Sequence, residues 1–221
     1  MGRGMIGRPA WAFERHRTSE REKTIRACPD EKPMNEGDVL PGLVLPIERR
    51  DNCLGPPSAK YSLVEYGDYT SLHCRHVLSV VQELVRELRD DLCFVFRNFP
   101  QPNLHPYSRP AAEAAEAAGL QGKFWLMHDR LFEHQDSLSD RVVREIARGL
   151  PVEMEDFERD LSSGSASRRV AEDLESASES GVEATPTFFV NGTLSVGQYE
   201  FLPLLEALRR PTSGGTERRR A

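Results

Sequence analysis

Two short apolar segments separated by one amphipathic helix constrain the fold of this chain more than any other feature. Residues 61–66 (YSLVEY) and 92–96 (LCFVF) are apolar and aromatic, as buried strands are. Between them, apolar residues recur at spacings of three and four from Val77 to Leu88, which predicts a helix of about five turns. A strand–helix–strand unit crosses over in a right-handed sense and pairs its two strands in parallel. The sequence therefore predicts an α/β fold.

Helices dominate the middle of the chain, and a hairpin follows them. Predicted helices cover residues 109–118, 124–132, 140–148, 152–161 and 167–180, with Gly119 ending the first and Pro151 in the first turn of the fourth. Residues 187–190 and 193–196 flank Asn191-Gly192, the strongest two-residue hairpin signal, and residues 200–210 form a last helix. The predicted architecture is a small mixed sheet with an all-helical insertion at about residues 105–182.

The ends of the chain differ in charge from the part between them. The whole chain has a net charge of −6, but residues 1–33 carry +3 and residues 209–221 carry +4, which leaves −13 between them. Binding a nucleic-acid backbone needs clustered positive charge, so nucleic acid is not expected as the ligand. Residues 1–40 and the basic tail 211–221 lack periodicity and are predicted to be disordered, flanking one domain at 41–210.

The sequence also limits the cellular setting. It contains no apolar run of about 18 residues, and its basic first segment lacks the apolar centre of a signal peptide, so we expect no membrane insertion. Four cysteines in 221 residues are too few for a disulfide-stabilised scaffold. We therefore expect a reducing, cytoplasmic location.

The segment after the first strand carries the clearest candidate chemistry. Ser71 suits the N-cap of the following helix, and Cys74 then falls in its first turn. There the positive helix end favours the thiolate, and His73 and Arg75 can add to this effect. The alternative is that Ser71 only caps the helix and that Cys74 is a small buried apolar residue.

Three stretches within residues 45–210 resemble the DsbA-like thioredoxin family, in particular the bacterial branch that is also found fused to sodium/proton antiporters. The resemblance covers about three quarters of the chain, in the family's order and spacing. The stretches are EYGDY at 65–69 with SLHC at 71–74; FRNFP at 96–100 with HP at 105–106, AAEAA at 111–115 and QGKFWLMH at 121–128; and GV at 181–182 with TPTFFVNG at 185–192.

The resemblance implies a thioredoxin-like fold and a site at Ser71–Cys74. The family uses Cys-x-x-Cys, in which the first thiolate forms a mixed disulfide and the second resolves it. Ser71 stands at the first cysteine's position and Cys74 at the second's, and a serine hydroxyl cannot form a disulfide. Thr185-Pro186 resembles the family's cis-proline loop, which binds an extended peptide or glutathione in the manner of a strand.

The other cysteines offer Cys74 few partners. Cys93 opens the second strand and is expected to be a core residue, and Cys53 precedes the first strand, so both lie at the end of the sheet far from Cys74. Cys28, in the flexible amino-terminal segment, is the one plausible intramolecular partner. His73, Cys74 and His76 are too closely spaced to converge on one metal ion, so no metal is expected.

Three functions follow from these patterns. The first is a thiol-disulfide oxidoreductase family protein of an atypical monothiol kind, in which Cys74 forms mixed disulfides with protein thiols or glutathione and His73 assists. The second is a glutathione-dependent transferase or isomerase, in which the Ser71 hydroxyl donates to the glutathione thiolate. The third is a non-catalytic, peptide-binding thioredoxin-like domain. None needs a bound cofactor, although glutathione fits as a co-substrate.

Overall fold

A five-stranded mixed sheet forms the centre of the computed structural model, which describes residues 42–48, 50–197 and 199–210. In spatial order its strands are β1 (Cys53–Leu54), β3 (Leu92–Asn98), β2 (Tyr61–Gly67), β4 (Thr187–Val190) and β5 (Thr193–Ser195). The α-helices within these ranges are α1 (Leu72–Leu88), α2 (Ser108–Leu120), α3 (Phe124–Glu133), α4 (Asp140–Arg148), α5 (Met154–Ser162), α6 (Ser165–Glu179) and α7 (Phe201–Arg209). The predicted α/β fold is confirmed. The disorder predicted for residues 1–40 and 211–221 concerns residues outside the described ranges.

The strand–helix–strand unit has the predicted arrangement. Strands β2 and β3 are parallel, with Tyr61 opposite Leu92 and Gly67 opposite Asn98, and α1 connects them. Side chains alternate between the two faces of a strand, so successive residues enter different cores. One core holds Leu63 with the apolar faces of α1 to α3, and the other holds Val64 with part of α6. This unit places the start of α1 at the carboxyl ends of β2 and β3.

The predicted hairpin is confirmed and brings the carboxyl-terminal half of the chain onto the sheet. Strand β4 pairs antiparallel with both β2 and β5, and the backbone turns at Asn191 and Gly192 with φ angles of 49° and 82°. Two consecutive positive φ values match the turn type for which Asn-Gly is favoured. The Asn191 side chain also accepts from the Ser62 N–H at 3.0 Å and donates to the Leu208 carbonyl at 2.9 Å. The turn therefore fixes both β2 and α7.

Two predicted helix boundaries are wrong. Gly119 does not end α2, which continues to Leu120, and the chain instead turns at Gly122 with a φ of 70°. A Cβ at Gly119 would lie only 3.1 Å from the Asn52 side chain, so close packing against Asn52 favours glycine at this position. Pro151 precedes α5 instead of lying in its first turn, because the helix begins only at Met154.

Arg97 of β3 fixes the segment before the first strand to the sheet. Its guanidinium and the Asp51 carboxylate form two hydrogen bonds of 3.0 Å, and their side chains are 3% and 2% exposed. The remaining contacts are to the carbonyl oxygens of Leu45 and Pro46 and to the hydroxyls of Tyr66 and Ser176. Burial acts to lower the pKa of the Arg97 guanidinium, but the hydrogen bonds and charges of Asp51 and Tyr66 together raise it above its ordinary value. Arg97 and Asp51 thus form a buried ion pair that links strand β3 to the segment before β1.

A disulfide joins Cys53 of β1 to Cys93 of β3, with the two Cα atoms 6.1 Å apart. In the antiparallel pairing Cys53 lies opposite Val95, which makes Cys93 its diagonal neighbour on the same face. Cys93 is buried in the core as expected, but its pairing with Cys53 is not predicted, because the sequence shows no pattern for the strand β1 that brings Cys53 to it. Disulfides are rare in reducing compartments. The expected cytoplasmic location stays a prediction.

Candidate active site at the start of helix α1

Ser71 caps α1 as the sequence predicts. Its hydroxyl oxygen accepts a hydrogen bond from the Cys74 N–H at 3.3 Å, and its carbonyl accepts from the Arg75 N–H at 3.1 Å. The first turn of this 17-residue helix contains no acidic side chain. The positive end of the helix dipole is therefore not neutralised by the helix itself, and Ser71, which is half-buried, lies directly on it.

Cys74 is buried beneath this cap, and its thiol does not have the lowered pKa that its place in the helix predicts. The residue is 1% exposed. Burial, reinforced by the nearby Glu65 carboxylate, raises the pKa of the Cys74 thiol to about 12. Hydrogen bonds from the Asp68 N–H, at 3.5 Å, and from the Ser71 and Thr185 side chains act in the opposite direction but do not offset the desolvation. The expectation that the helix end lowers this pKa is wrong.

The two neighbours of Cys74 do not help to ionise it. His73 is exposed, and the Arg75 guanidinium forms an ion pair with the Asp136 carboxylate at 2.7 Å on the surface. His76 is also exposed. Among the described residues no group of three or more His, Cys, Asp or Glu side chains is arranged to hold a metal ion.

The Thr185–Pro186 loop reaches the same place from the other half of the chain. The peptide bond between Thr185 and Pro186 is cis, and the loop leads directly into β4. Because β4 is antiparallel to β2, with Thr187 opposite Tyr66, this loop lies at the sheet end from which α1 begins. The Thr185 side chain hydrogen-bonds the Cys74 thiol. The structure therefore brings Ser71, Cys74, Thr185 and Pro186 together and leaves His73 on the surface.

Glu65 lies behind Cys74 and was not among the predicted site residues. It belongs to β2 and is 3% exposed, and desolvation raises the pKa of its carboxyl to about 8. The sequence does carry an indication of it, since an acidic residue stands inside an otherwise apolar strand. Burying a carboxyl group has a high desolvation cost, so such a residue is unusual. The site thus places a buried carboxyl beside a buried thiol, and the negative charge of the ionised carboxyl disfavours ionisation of the thiol.

Two further side chains hold the loop before α1. Asp68, which is buried, accepts hydrogen bonds from the N–H and hydroxyl of Thr70 at 2.8 and 2.7 Å, and from the Gln101 N–H at 2.9 Å. Gln135, in the 3₁₀ turn Gln135–Ser137, donates to the carbonyl oxygens of Tyr69 at 2.7 Å and Ser71 at 2.9 Å. The position of Ser71 is therefore set by the helical insertion as well as by α1.

His128 of α3 supports the loop before α1 from inside the core. It is fully buried among aromatic rings, with its Nδ1 atom 3.2 Å from the Tyr69 hydroxyl, and desolvation lowers the pKa of its imidazole to about 3. A neutral histidine at this depth supports the loop from below and takes no part in proton transfer at the surface.

Comparisons with known proteins agree with this fold. The family model described as "Thioredoxin" matches residues 48–206. The Na(+)/H(+) antiporter NhaA 1 of Salinispora arenicola (strain CNS-205) is 38% identical over 173 residues, which cover 78% of this chain and 26% of the antiporter. The chain thus spans about a quarter of the length of the curated relatives it matches. No helix in the described ranges has the length and apolar character needed to cross a bilayer.

Two solved structures are similar over most of their length. The thioredoxin-like oxidoreductase from Silicibacter pomeroyi DSS-3 is 30% identical, with a TM-score of 0.63 over 73% of this chain and 91% of that one. Oxidised BdbD from Bacillus subtilis is 23% identical, with a TM-score of 0.67 over 78% of this chain and 97% of that one, a likeness of fold. Since the family model covers well over half of the chain, this protein belongs to the thioredoxin family and has the disulfide oxidoreductase-type fold of its DsbA-like members.

Proposed function

We propose that this protein binds extended, thiol-bearing segments of other proteins at Ser71 and the Thr185–Pro186 loop, without forming mixed disulfides through Cys74. The burial of Cys74 carries this proposal. The residue is 1% exposed and burial raises its pKa to about 12, so the thiol is protonated at pH 7. The domain then serves as a binding module of an oxidoreductase-type fold.

The monothiol hypothesis requires an ionised and accessible thiol, and the Cys74 thiol is neither ionised nor accessible. Attack on a disulfide needs a thiolate and an open path to the sulfur. In the described residues Cys53 and Cys93 are paired with each other, and Cys74 is the one free cysteine. No second thiol from these residues is therefore left to resolve a mixed disulfide at Cys74.

The proposed binding site combines a strand-like loop with a helix end. Thr185 is half-buried and lies just beyond Thr187, where the pairing of β4 with β2 ends, and its backbone is in position to pair with an incoming strand. The Ser71 oxygen accepts from the Cys74 N–H, and its own hydrogen, which hydrogen-bonds the Cys74 sulfur in the free protein, can turn to donate to an incoming sulfur atom. The positive end of α1 favours that sulfur as a thiolate. The same half-buried hydroxyl supports glutathione as a second candidate ligand, in a transferase or isomerase reaction.

Thiol labelling tests whether Cys74 is unreactive in the native protein. We expect native protein treated with iodoacetamide or oxidised glutathione between pH 5 and 9 to carry no adduct at Cys74, with a labelling rate at least ~10³-fold below that of the unfolded chain. Peptide mass spectrometry locates the adducts, and Cys74→Ala provides the blank. A rapid native adduct at Cys74 would restore the monothiol hypothesis.

Peptide binding tests the role of Ser71. We expect a neutral hexapeptide with one cysteine to bind the wild type, and Ser71→Ala to weaken its binding at least ~5-fold, because a hydrogen bond to a charged group is lost. Ser79→Ala, at an exposed serine of the same helix, is the matched control and should bind like the wild type. Calorimetry with the peptide and with glutathione measures both ligands. Equal binding by Ser71→Ala and Ser79→Ala contradicts the proposal.

A further inference from the structure

Two buried carboxyl groups lie side by side at the carboxyl end of β3, and the proposed function does not use them. Glu116 of α2 and Asp173 of α6 are each 3% exposed. Both accept a hydrogen bond from the same atom, the side-chain nitrogen of Asn98, at 2.7 and 3.3 Å. The backbone N–H of Asn98 also donates to Asp173 at 2.9 Å. One asparagine thus joins both carboxyls, and with them α2 and α6, to the sheet.

Among the described residues, one guanidinium serves both carboxyls. Arg169 lies 3.6 Å from the carboxyl of Glu116 and 3.3 Å from that of Asp173, and it also pairs with Glu172 at 2.7 Å. The side-chain nitrogen of Asn52, 3.3 Å from both Glu116 oxygens, is a neutral donor. Two ionised carboxyls at this depth would therefore lack a full counter-charge. One proton held by the pair removes the excess negative charge.

The neighbouring charged and titratable groups do not supply the missing cation. Within the described ranges they are either matched by an opposite charge or kept neutral by burial. Arg97 with Asp51, Arg50 with Glu48 and Glu172, and Arg109 with Glu113 are of the first kind, and Glu65 and Tyr69 are of the second. Burial, together with the Asp173 charge, raises the pKa of the Glu116 carboxyl above its ordinary value.

The buried face of α6 is small and polar. Its buried residues are Ala166, Val170, Asp173, Ser176 and Ala177. Small side chains bury little apolar area, so the polar contacts of Asp173 and Ser176 decide how firmly this helix is held. Residues 180–184 connect α6 to the Thr185–Pro186 loop, so the position of the helix also bears on that loop.

We propose that the Glu116–Asp173 pair is a proton-operated latch for α6, closed while the pair holds one proton and released when that proton passes to the solvent. Release leaves two buried anions facing one guanidinium, and separation of α6 from α2 and β3 returns them to water. Because the folded state raises the pKa of Glu116, the latch is complete at acidic pH and is lost as the pH rises through the raised value. The latch does not depend on peptide binding, although its release loosens the loop at which we expect binding.

Hydrogen exchange of the α6 amides, followed by NMR, tests the latch. We expect their protection in the wild type, corrected for the chemical exchange rate, to fall at least ~10-fold between pH 5 and 8, because opening releases a proton in this range. Glu116→Gln keeps an oxygen for the bond from Asn98 but cannot ionise, and its fall should be less than ~3-fold. Glu175→Gln, at an exposed position of α6, is the matched control and should behave like the wild type.

Two results would overturn the latch. One is constant protection of α6 across this range in the wild type, and the other is an equal fall in Glu116→Gln. If Glu116→Gln does not fold, Asp173→Asn has the same expectation, since it leaves one carboxyl for one guanidinium.

A carboxyl ¹³C titration of the wild type needs no variant. One carboxyl of the pair should still be protonated at pH 6, and two ionised carboxyls at that pH would also overturn the latch. Both measurements use the free protein, so their outcome is separate from that of the peptide-binding experiments.

Discussion

Arg97→Met is expected to lower the free energy of unfolding by about 3–5 kcal/mol. Methionine has a similar length but leaves the Asp51 carboxylate buried without its partner, and it leaves two carbonyl oxygens of residues 45–46 without donors. The cost comes from this uncompensated buried charge, because the intact pair itself adds little after desolvation. Urea unfolding at pH 7 measures the difference.

Arg75→Met is the matched control for this substitution. It breaks the ion pair with Asp136, whose side chain is 78% exposed, and exposed pairs contribute about 0–1 kcal/mol. If Arg97→Met loses no more stability than Arg75→Met, the Arg97 guanidinium is not the buried centre of its cluster. Asp51→Asn should recover part of the stability lost in Arg97→Met, because it removes the unpaired charge.

Glu65→Gln is expected to stabilise the protein at alkaline pH by on the order of 4–5 kcal/mol, with no comparable gain at pH 4. Burial raises the pKa of this carboxyl to about 8 in the folded state, from its ordinary value of 4.5. The folded wild type thus holds a proton that the unfolded chain releases. Its contribution to stability is complete below pH 4.5 and is lost as the pH rises through 8. Glutamine imitates the protonated form and so avoids that loss.

Unfolding curves at several pH values between 4 and 9 test this prediction. The difference between Glu65→Gln and the wild type should grow by about 1.4 kcal/mol for each pH unit between about pH 4.5 and 8 and then become constant. Glu116, whose carboxyl pKa is also raised by burial, is present in both proteins and cancels from the difference. Glu206→Gln, at an exposed position of α7, should change the curve by less than about 0.5 kcal/mol. Parallel curves for Glu65→Gln and the wild type contradict the prediction.

Local periodicity predicted most of the secondary structure. The Asn191-Gly192 turn and helix α4 were identified from neighbouring residues alone, since a hairpin turn and an apolar stripe are determined within a few positions. Strand β1 was missed because two residues in a loop show no alternation. The Cys53–Cys93 pair is not predicted for a related reason: it depends on the pairing of β1 with β3, although the sequence places both cysteines at the same end of the sheet.

The candidate site was predicted in position but not in chemistry. The resemblance identified Ser71, Cys74 and the Thr185–Pro186 loop, which the fold brings together. The state of the Cys74 thiol depends on burial by distant elements, and this desolvation outweighs the local effect of the helix end. Gln135 was invisible for the same reason, because its contacts to the loop cross about 65 residues of sequence.

The short strand β1 also affects how molecules of this protein meet one another. It covers part of the outer edge of β3, a strand whose seven residues are all buried. If the disulfide is reduced and β1 separates, that edge presents unpaired N–H and C=O groups to any neighbouring chain, in a segment rich in β-forming residues. The expected result is association between molecules, which increases with protein concentration. Strand β1 therefore shields this part of the β3 edge from pairing with another chain.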